Sequence, residues 1–300
     1  MRKTFIKSPY FVHISMIIMS ILAASSFPVV AIITDALSPE LLLFLRFFLS
    51  AIFFFPFIIR KKEVIPNKKI LFGYFILSLP LVAFFWCMFE SLRYTTALNT
   101  GAIYTILPAI TAILTYIINK ELTGKMQAIG LIIGTLGALW IVFRGSIDSL
   151  LSLNLNYGDF IFFIGTICLG FYNPLVKRFY KGEPLEVMTF WVLLIGSLCF
   201  LLFSWGDLIK TDWLLLDSTV YLGIVYLSLF STLITFFLLQ YGVVRIGATK
   251  VSAYGFLTPI IVIIIGLLTK TEKFEVIYIS GMILVLIALL FIQRQRINSK

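Results

Sequence analysis

The chain has 300 residues, of which 60% are hydrophobic and only 13% are charged. Soluble domains carry about 25% charged residues, so this composition excludes an ordinary soluble fold. The formal net charge is +10, but no basic patch of the kind that binds nucleic acid stands out, and we expect no nucleic-acid partner.

Apolar runs long enough to cross a lipid bilayer recur along the whole chain, separated by short polar breaks. At about 20 residues per span, they predict an all-α integral membrane protein with ten transmembrane helices in a single membrane domain. The predicted helices lie near residues 10–33, 39–59, 70–92, 96–118, 126–143, 157–179, 185–204, 218–242, 247–269 and 275–293. A signal peptide is the alternative for the first run, but the internal repeat requires that run as a helix.

The lysines and arginines between the predicted helices indicate how the chain is oriented. If the N-terminus is cytoplasmic, eighteen of them fall inside and five fall outside. The inside residues are Arg2, Lys3, Lys7, Arg60, Lys61, Lys62, Lys68, Lys69, Lys120, Lys125, Lys177, Arg178, Lys181, Arg245, Lys250, Arg294, Arg296 and Lys300. The positive-inside rule therefore predicts a multi-pass protein of the cell inner membrane with both termini cytoplasmic.

The two halves of the chain resemble each other. A shift of 151 residues, without a gap, aligns Pro108 with Pro259 and Glu121 with Glu272. Each half, 1–150 and 151–300, then holds five helices, and an odd number requires the second half to enter the membrane from the opposite side. The sequence therefore predicts two inverted five-helix repeats, with chance similarity among apolar helices as the alternative.

Prolines occupy corresponding positions of the two halves. Pro28 corresponds to Pro174 at a shift of 146, as Pro108 corresponds to Pro259 at 151. Because proline lacks an N–H and displaces the carbonyl four residues earlier, we expect it to open helices one, four, six and nine near the middle of the membrane. Freed backbone is tolerated where it lines a cavity, so these helices are expected to line the centre and the prolines to act in gating. A plain packing kink is the alternative.

The sequence lacks the motifs of an enzyme or of an ATP-driven pump. Its nearest approach to a phosphate-binding loop, GVVRIGAT at 242–249, has Ala248 where the lysine belongs. The single histidine is His13, and neither HExxH nor GxSxG occurs. The three cysteines lie in apolar runs without metal-binding spacing. We expect no catalytic activity, no cofactor and no metal site.

Charged residues near the predicted helices mostly have a structural interpretation. Arg46 lies about two turns inside helix two, where its side chain is expected to extend to the outer membrane surface, with a functional role as the alternative. Glu90 and Arg93, three residues apart, are expected to pair. Glu121 and Glu272 precede helices five and ten and are expected to cap them.

Uncharged polar and aromatic side chains inside the apolar runs are the candidates for a substrate site. They are Trp86, Asn99, Thr100, Tyr104, Tyr172, Asn173, Ser231, Thr235 and Gln240. Each serves equally well as a hydrogen bond between helices, and that interpretation stays open. Gly130, Gly134 and Gly137 form a stripe on helix five, which predicts close packing within the fold or in a homodimer.

Three segments carry a resemblance to a known family. They are SPELLLFLRFFLSA at 38–51, YTTALNTGAIYTILPAITAIL at 94–114 and IGATKVSAYGFLTPIIVIIIGLL at 246–268. Together they resemble the EamA family of the drug/metabolite transporter superfamily, over nearly the whole chain. Lys120 and Thr271 stand where that family usually has glycine. The resemblance implies a central cavity lined by helices one, three, four, six, eight and nine.

The resemblance also implies secondary transport, since similar family members export amino acids and related metabolites. The uncharged candidate set suits a zwitterionic or neutral small-molecule substrate. We therefore expect an exporter that works by alternating access in the lipid bilayer, driven by a proton or ion gradient or by exchange. The alternatives are transport of a nucleobase, a vitamin or a drug cation, and a non-transporting membrane scaffold or sensor.

Overall fold

A computed structural model describes residues 9–33, 36–59, 61 and 64–294. Ten helices in these ranges are long and apolar enough to cross a membrane, which confirms the predicted all-α membrane fold. The basic residues Arg2, Lys3, Lys7, Arg60, Lys62, Arg296 and Lys300, which contributed to the predicted orientation, lie outside the described residues.

The ten helices follow the predicted order. They are α1 (Tyr10–Ile33), α2 (Pro39–Ile58), α3 (Lys68–Ser91), α4 (Leu98–Asn119), α5 (Lys125–Val142), α6 (Tyr157–Phe179), α7 (Leu185–Lys210), α8 (Ser218–Ile246), α9 (Ala248–Leu268) and α10 (Ile277–Arg294). The largest difference from prediction is at the ends of α7 and α8. Both continue beyond their apolar runs, because polar residues extend a helix past the hydrocarbon core as readily as apolar ones.

Helix packing relates the two halves. The most extensive contacts join α5 with α10, α3 with α6, and α2 with α7, and α1 packs along α8. If each helix is replaced by the helix five places away in the chain, the α3–α6 pair becomes the α8–α1 pair. The α5–α10 and α2–α7 pairs map onto themselves. This pattern is the one expected of two halves related by an internal two-fold axis. The inverted repeat and its boundary between residues 150 and 151 remain predictions.

Two clusters of buried apolar side chains hold the bundle together. The larger one, mainly from α1, α2, α3, α6, α7 and α8, includes Phe47 and Phe200, whose ring centroids lie 5.3 Å apart. The smaller one joins α4, α5, α9 and α10 around Phe256 and Val285. Burial against other helices, and not propensity alone, therefore fixes the arrangement of the spans.

The glycine stripe of α5 is used inside the bundle. A Cβ on Gly137 would lie 2.8 Å from Cβ of Leu284 and 3.0 Å from the carbonyl oxygen of Gly281, both on α10. A Cβ on Gly130 would meet Ile292 of α10 at 2.7 Å, and one on Gly134 would meet the ring of Phe256. The stripe therefore brings the α5 and α10 backbones together within one chain.

Gly137→Val should lower the thermal unfolding temperature by several degrees, because its side chain forces apart a contact made by the α10 backbone. Unfolding of the purified protein in detergent measures this. Gly206→Ala is the matched control, since a Cβ there meets nothing within 4 Å, and alanine favours the helix. Equal unfolding temperatures for both variants would contradict the packing role of the stripe.

Three of the four predicted proline sites coincide with irregular helix. Regular α-helix in α1 stops at Ala24 and resumes at Ser26, two residues before Pro28. In α4 it stops at Tyr104 and resumes at Leu107, beside Pro108. In α9 the stretch 253–257, just before Pro259, is a 3₁₀-helix. Helices one, four and nine are therefore opened as predicted.

The prediction that Pro174 interrupts helix six near the middle of the membrane is wrong. α6 is one continuous α-helix from Tyr157 to Phe179, and Pro174 lies near its end. Extended packing of α6 on α3 and α4 outweighs the loss of one backbone hydrogen bond. The Pro174 carbonyl also accepts a 3.1 Å hydrogen bond from the Asn119 side chain of α4.

The charged residues at the helix ends form ion pairs. Glu90 pairs with Arg93 at 3.3 Å, as predicted. The capping role predicted for the other two glutamates is wrong, because both lie in loops and reach other helices. Glu121 pairs with Lys177 at 2.8 Å, and Glu272 pairs with Arg144 at 3.2 Å. These ion pairs connect a loop of one half with a helix end of the other half.

Candidate functional site

Arg46 of α2 points into the bundle and not to the membrane surface, so the predicted extension of its side chain to the outer surface is wrong. The residue is only 5% exposed. Its Nε and Nη2 donate to the hydroxyl of Thr232 at 3.3 and 3.2 Å, and the guanidinium lies 5.9 Å from the centroid of the Phe85 ring. No carboxylate within the described ranges pairs with it.

Thr232 lies halfway along α8, in a stretch where the helix is wound more widely. Residues Leu227–Ile234 form a π-helix between two α-helical segments. A π-helical turn is rare and frequently marks a functional position, because it leaves backbone carbonyls without their usual partners. Here Ser50 of α2, one turn after Arg46, donates to the Ser228 carbonyl at 2.7 Å. α2 and the π-helical stretch are therefore joined by polar contacts.

Tyr172 and Gln240, both predicted site residues, meet in a fully buried network. The Gln240 Nε2 donates to the Tyr172 hydroxyl at 3.0 Å, and its Oε1 accepts from the Thr189 hydroxyl at 2.7 Å. All three side chains are 0% exposed. Since both ends of the amide are satisfied, the network joins α6, α7 and α8, and the helix-to-helix interpretation fits these two residues best.

Asn173, the next residue of α6, differs from its neighbour. It is 7% exposed, and its Oδ1 has no hydrogen-bond partner among the residues that the structure describes. Gly170, one turn earlier, packs so closely on α4 that a Cβ would lie 2.6 Å from Ile110. Nearly all buried polar groups are hydrogen-bonded, so an unpartnered acceptor is notable. Asn173 shares this feature with the side chains of Thr111, Ser204 and Gln293.

Tyr104 and Ser231 also keep hydroxyl groups without a partner within the described ranges. Tyr104 is half-buried beside the 3₁₀ stretch of α9, with its ring 4.0 Å from the position of a Cβ on Gly255. Ser231 is 6% exposed in the π-helical stretch, and its carbonyl accepts from Thr235 at 2.7 Å. Ser25, at the break in α1, contacts the Tyr226 hydroxyl at 2.7 Å. The irregular parts of α1, α4, α8 and α9 thus carry polar groups.

Asn99 and Thr100 lie at the start of α4 and not at the centre. The Asn99 Nδ2 donates to Asp159 of α6 at 2.9 Å, the Thr95 hydroxyl donates to the same carboxylate, and the Asn156 backbone N–H donates to it at 2.8 Å. Asp159 is 2% exposed. We call the contact among Thr95, Asn99 and Asp159 the α4–α6 latch.

A second contact joins two helices at the other face of the bundle, where α1 begins. The His13 Nδ1 lies 2.6 Å from the Tyr254 hydroxyl, which joins α1 to α9. Ser20 supports it by donating to the Tyr254 carbonyl at 3.3 Å. We call the His13–Tyr254 contact the α1–α9 latch. The predicted 146-residue shift pairs His13 with Asp159, so these two members of the latches occupy corresponding positions of the predicted repeats. Their partners do not correspond, because the 151-residue shift pairs Tyr254 with Ile103.

Trp86 lies on the outside of α3. It is 43% exposed and shares a helix face with Leu79 and Phe75, which are also exposed. Phe84 and Phe85 instead point inward, where their rings lie 6.4 Å from the Tyr104 ring and 5.6 Å from the Phe47 ring. Trp86 therefore differs in exposure from the buried candidates.

Two surface cavities, of about 330 and 250 Å³, lie beside the outer part of α5 and beside the loop before α3. None of the predicted site residues lines either cavity. Both latches are formed in this structure.

Sequence reasoning did not identify Asp159, Thr189 and Thr232. It gave Arg46 mainly a structural interpretation. An arginine inside an apolar run is a strong signal by itself, and Asp159 follows Asn156 at the spacing of a capping box. The threonines carried no usable signal, because a membrane threonine most often bonds to its own helix.

A fold of ten membrane-spanning helices, several of them interrupted and with polar groups between them, defines a class, that of polytopic α-helical membrane proteins. The chain belongs to the EamA-like transporter family, whose model matches residues 11–143 and 156–294. The predicted family resemblance is therefore confirmed. The predicted boundary at 150 lies between the two matched segments.

Several curated relatives carry the name of transporter. The chain is 28% identical over 234 residues to "Uncharacterized transporter YyaM" of Bacillus subtilis, with 77% of this chain and 75% of the relative covered. It is 25% identical over 247 residues to "Uncharacterized transporter YdfC" of the same organism, covering 81% and 78%. A protein of known crystal structure shares the fold with a TM-score of 0.78 at 13% identity, covering 96% of this chain and 100% of the other.

Proposed function

We propose that this protein exports small zwitterionic or neutral metabolites, foremost amino acids, across the cell inner membrane by alternating access. Both termini are cytoplasmic in this proposal, and transport is driven by a proton or ion gradient or by exchange. The observation that carries it is the pair of latches, one on each face, on either side of interior groups without partners. Opening one latch while the other stays closed would give each face access to the centre in turn.

The unpartnered groups favour a substrate with polar ends and little net charge. They are the Asn173 Oδ1 and the Thr111 hydroxyl of α4, both buried without a partner within the described structure, together with the hydroxyls of Tyr104 and Ser231. An amide oxygen accepts hydrogen bonds from an ammonium group without binding it so tightly that release becomes slow. The buried carboxylates of the described residues, Asp159 and Glu183, already accept hydrogen bonds from other side chains, and they form no cluster that would attract a polycation.

Uptake into proteoliposomes tests the proposal. Purified protein is reconstituted, and a panel of radiolabelled amino acids is supplied with and without an imposed proton or sodium gradient. We expect protein-dependent uptake of at least one amino acid, increased by one of the gradients or by internal substrate. Nucleobases and quaternary ammonium compounds serve as comparison substrates. Uptake of these alone, or of nothing, would contradict the amino-acid proposal.

Asn173→Ala should weaken substrate binding about tenfold, or roughly 1.4 kcal/mol, and leave the unfolding temperature nearly unchanged, because the Oδ1 has no partner to lose within the described structure. Asn173→Leu should weaken it further. Binding of the transported amino acid and thermal unfolding are measured on the same purified variant.

Asn119→Ala is the matched control for Asn173. It removes an amide that already bonds to the Pro174 carbonyl, so it should lower the unfolding temperature and keep the affinity. If Asn173→Ala behaves like this control, Asn173 does not bind substrate.

A further inference from the structure

The guanidinium of Arg46 keeps donors free in the interior of the bundle. Both bonds to Thr232 share a single hydroxyl oxygen, and they use the Nε hydrogen and one Nη2 hydrogen. Both Nη1 hydrogens and the second Nη2 hydrogen have no acceptor among the described residues. The second Nη2 hydrogen and one Nη1 hydrogen lie parallel at the end of the planar group, in the arrangement that a carboxylate accepts through two hydrogen bonds.

The contacts on Arg46 do not balance its charge. A buried charge is normally paired with an opposite charge, and an ionisable residue inside a membrane protein usually faces a cavity or a substrate path. The two groups that touch the guanidinium, a neutral hydroxyl and the Phe85 ring at 5.9 Å, carry no negative charge. The site is therefore electrostatically incomplete and favours an anion.

The residues around Arg46 favour an anion that has a single negative charge and an apolar side chain. No other cation of the described chain contacts Thr232 or Phe85, which disfavours a phosphate or a dicarboxylate. Phe47, adjacent to Arg46 in α2, has its ring 5.6 Å from that of Phe85 and 6.0 Å from that of Phe236. The rings provide an apolar wall beside the guanidinium.

We propose that Arg46 binds the carboxylate of the transported substrate, which is an amino acid or another monocarboxylate with an apolar side chain. Thr232, presented by the π-helical stretch, fixes the guanidinium so that its free edge faces the substrate. This assignment rests on the proposed transport function and narrows it, because it excludes substrates that have no acid group.

Equilibrium binding to the full-length purified protein tests the proposal. The probes are the apolar amino acids alanine, valine, leucine and phenylalanine, each beside its own carboxamide, which keeps the side chain and the ammonium but loses the negative charge. For the wild type we expect at least one acid to bind at least tenfold more tightly than its amide. Arg46→Gln should abolish this preference, and Arg46→Lys should retain part of it, since lysine keeps the charge but not the planar fork.

Arg93→Gln is the matched control, because it removes an exposed arginine whose partner is Glu90, and it should leave the preference intact. Thr232→Val provides a second variant if the Arg46 variants do not fold, and it should reduce the preference severalfold by releasing the guanidinium. The proposal is overturned if acids and amides bind the wild type equally or if none of them binds. It is also overturned if Arg46→Gln or Thr232→Val keeps the full preference for the acid. Competition at the site by chloride or inorganic phosphate alone, and not by amino acids, would overturn it as well.

Failure of this assignment is distinguishable from failure of the transport function. If the protein binds acids specifically through Arg46 but shows no flux in proteoliposomes, the carboxylate site is supported and the transport function is contradicted. If the protein transports only uncharged compounds, the transport function is supported and the proposed role of Arg46 is overturned.

Discussion

Pro108→Ala and Pro259→Ala should each lower the transport rate at least about tenfold while the protein remains folded. Regular α-helix stops before both prolines, at Tyr104 in α4 and at Ser252 in α9. Alanine restores an N–H that bonds to the carbonyl four residues earlier, so the helix straightens through the irregular stretch. A tenfold change corresponds to about 1.4 kcal/mol in the barrier, comparable to one restored hydrogen bond.

The assay is initial-rate uptake in proteoliposomes, with thermal unfolding of the same preparations. Pro80→Ala is the matched control, because Pro80 lies inside α3, which is continuous from Lys68 to Ser91. That variant should transport at close to the wild-type rate. Wild-type rates for Pro108→Ala or Pro259→Ala would show that the interruption in that helix is only a packing feature.

Thr95→Val and Tyr254→Phe should shift the conformational equilibrium in opposite directions. Thr95→Val removes one hydrogen bond to the buried Asp159 carboxylate from the α4–α6 latch, and Tyr254→Phe removes the contact with His13 from the α1–α9 latch. A hydrogen bond to a charged group contributes about 1.5–3 kcal/mol and a neutral one about 1 kcal/mol. The populations should therefore change by about fivefold or more, with the larger effect from Thr95→Val.

Cysteine labelling measures this shift. Ser231→Cys, in a cysteine-free background, places a thiol in the π-helical stretch near the middle of α8, and an impermeant reagent is applied to each face in turn. Thr95→Val should increase labelling from the face that holds the α4–α6 latch, and Tyr254→Phe should increase it from the opposite face. Increased labelling from the same face in both variants would contradict the assignment of the two latches to opposite gates.

Much of the fold was predictable because membrane spans are encoded by the simplest signal in a sequence. The length of each apolar run fixes a helix, and the position of Pro108 or Pro259 fixes where it is interrupted. Pro174 shows the limit of this reasoning. The same residue type leaves α6 continuous, since the packing of α6 on α3 and α4 decides the outcome and does not appear in the local sequence.

The candidate site was less predictable, because the partners of a polar side chain lie on other helices. Tyr172 and Gln240 were correctly singled out as interior polar groups, yet they satisfy each other. Asn99 was placed at the centre and instead bonds to Asp159 near one face. Arg46 was visible in the sequence, but its direction was not, since the same position on α2 permits a side chain that reaches the surface or the interior.

Countertransport tests the central claim, alternating access to one interior site, most directly. Proteoliposomes are loaded with an unlabelled amino acid that the protein transports, and a trace of the labelled compound is added outside without any ion gradient. A single site that faces each side in turn predicts that internal substrate accelerates uptake and that the label accumulates transiently above its external concentration. Uptake that is independent of internal substrate, or that never exceeds equilibration, would contradict the account.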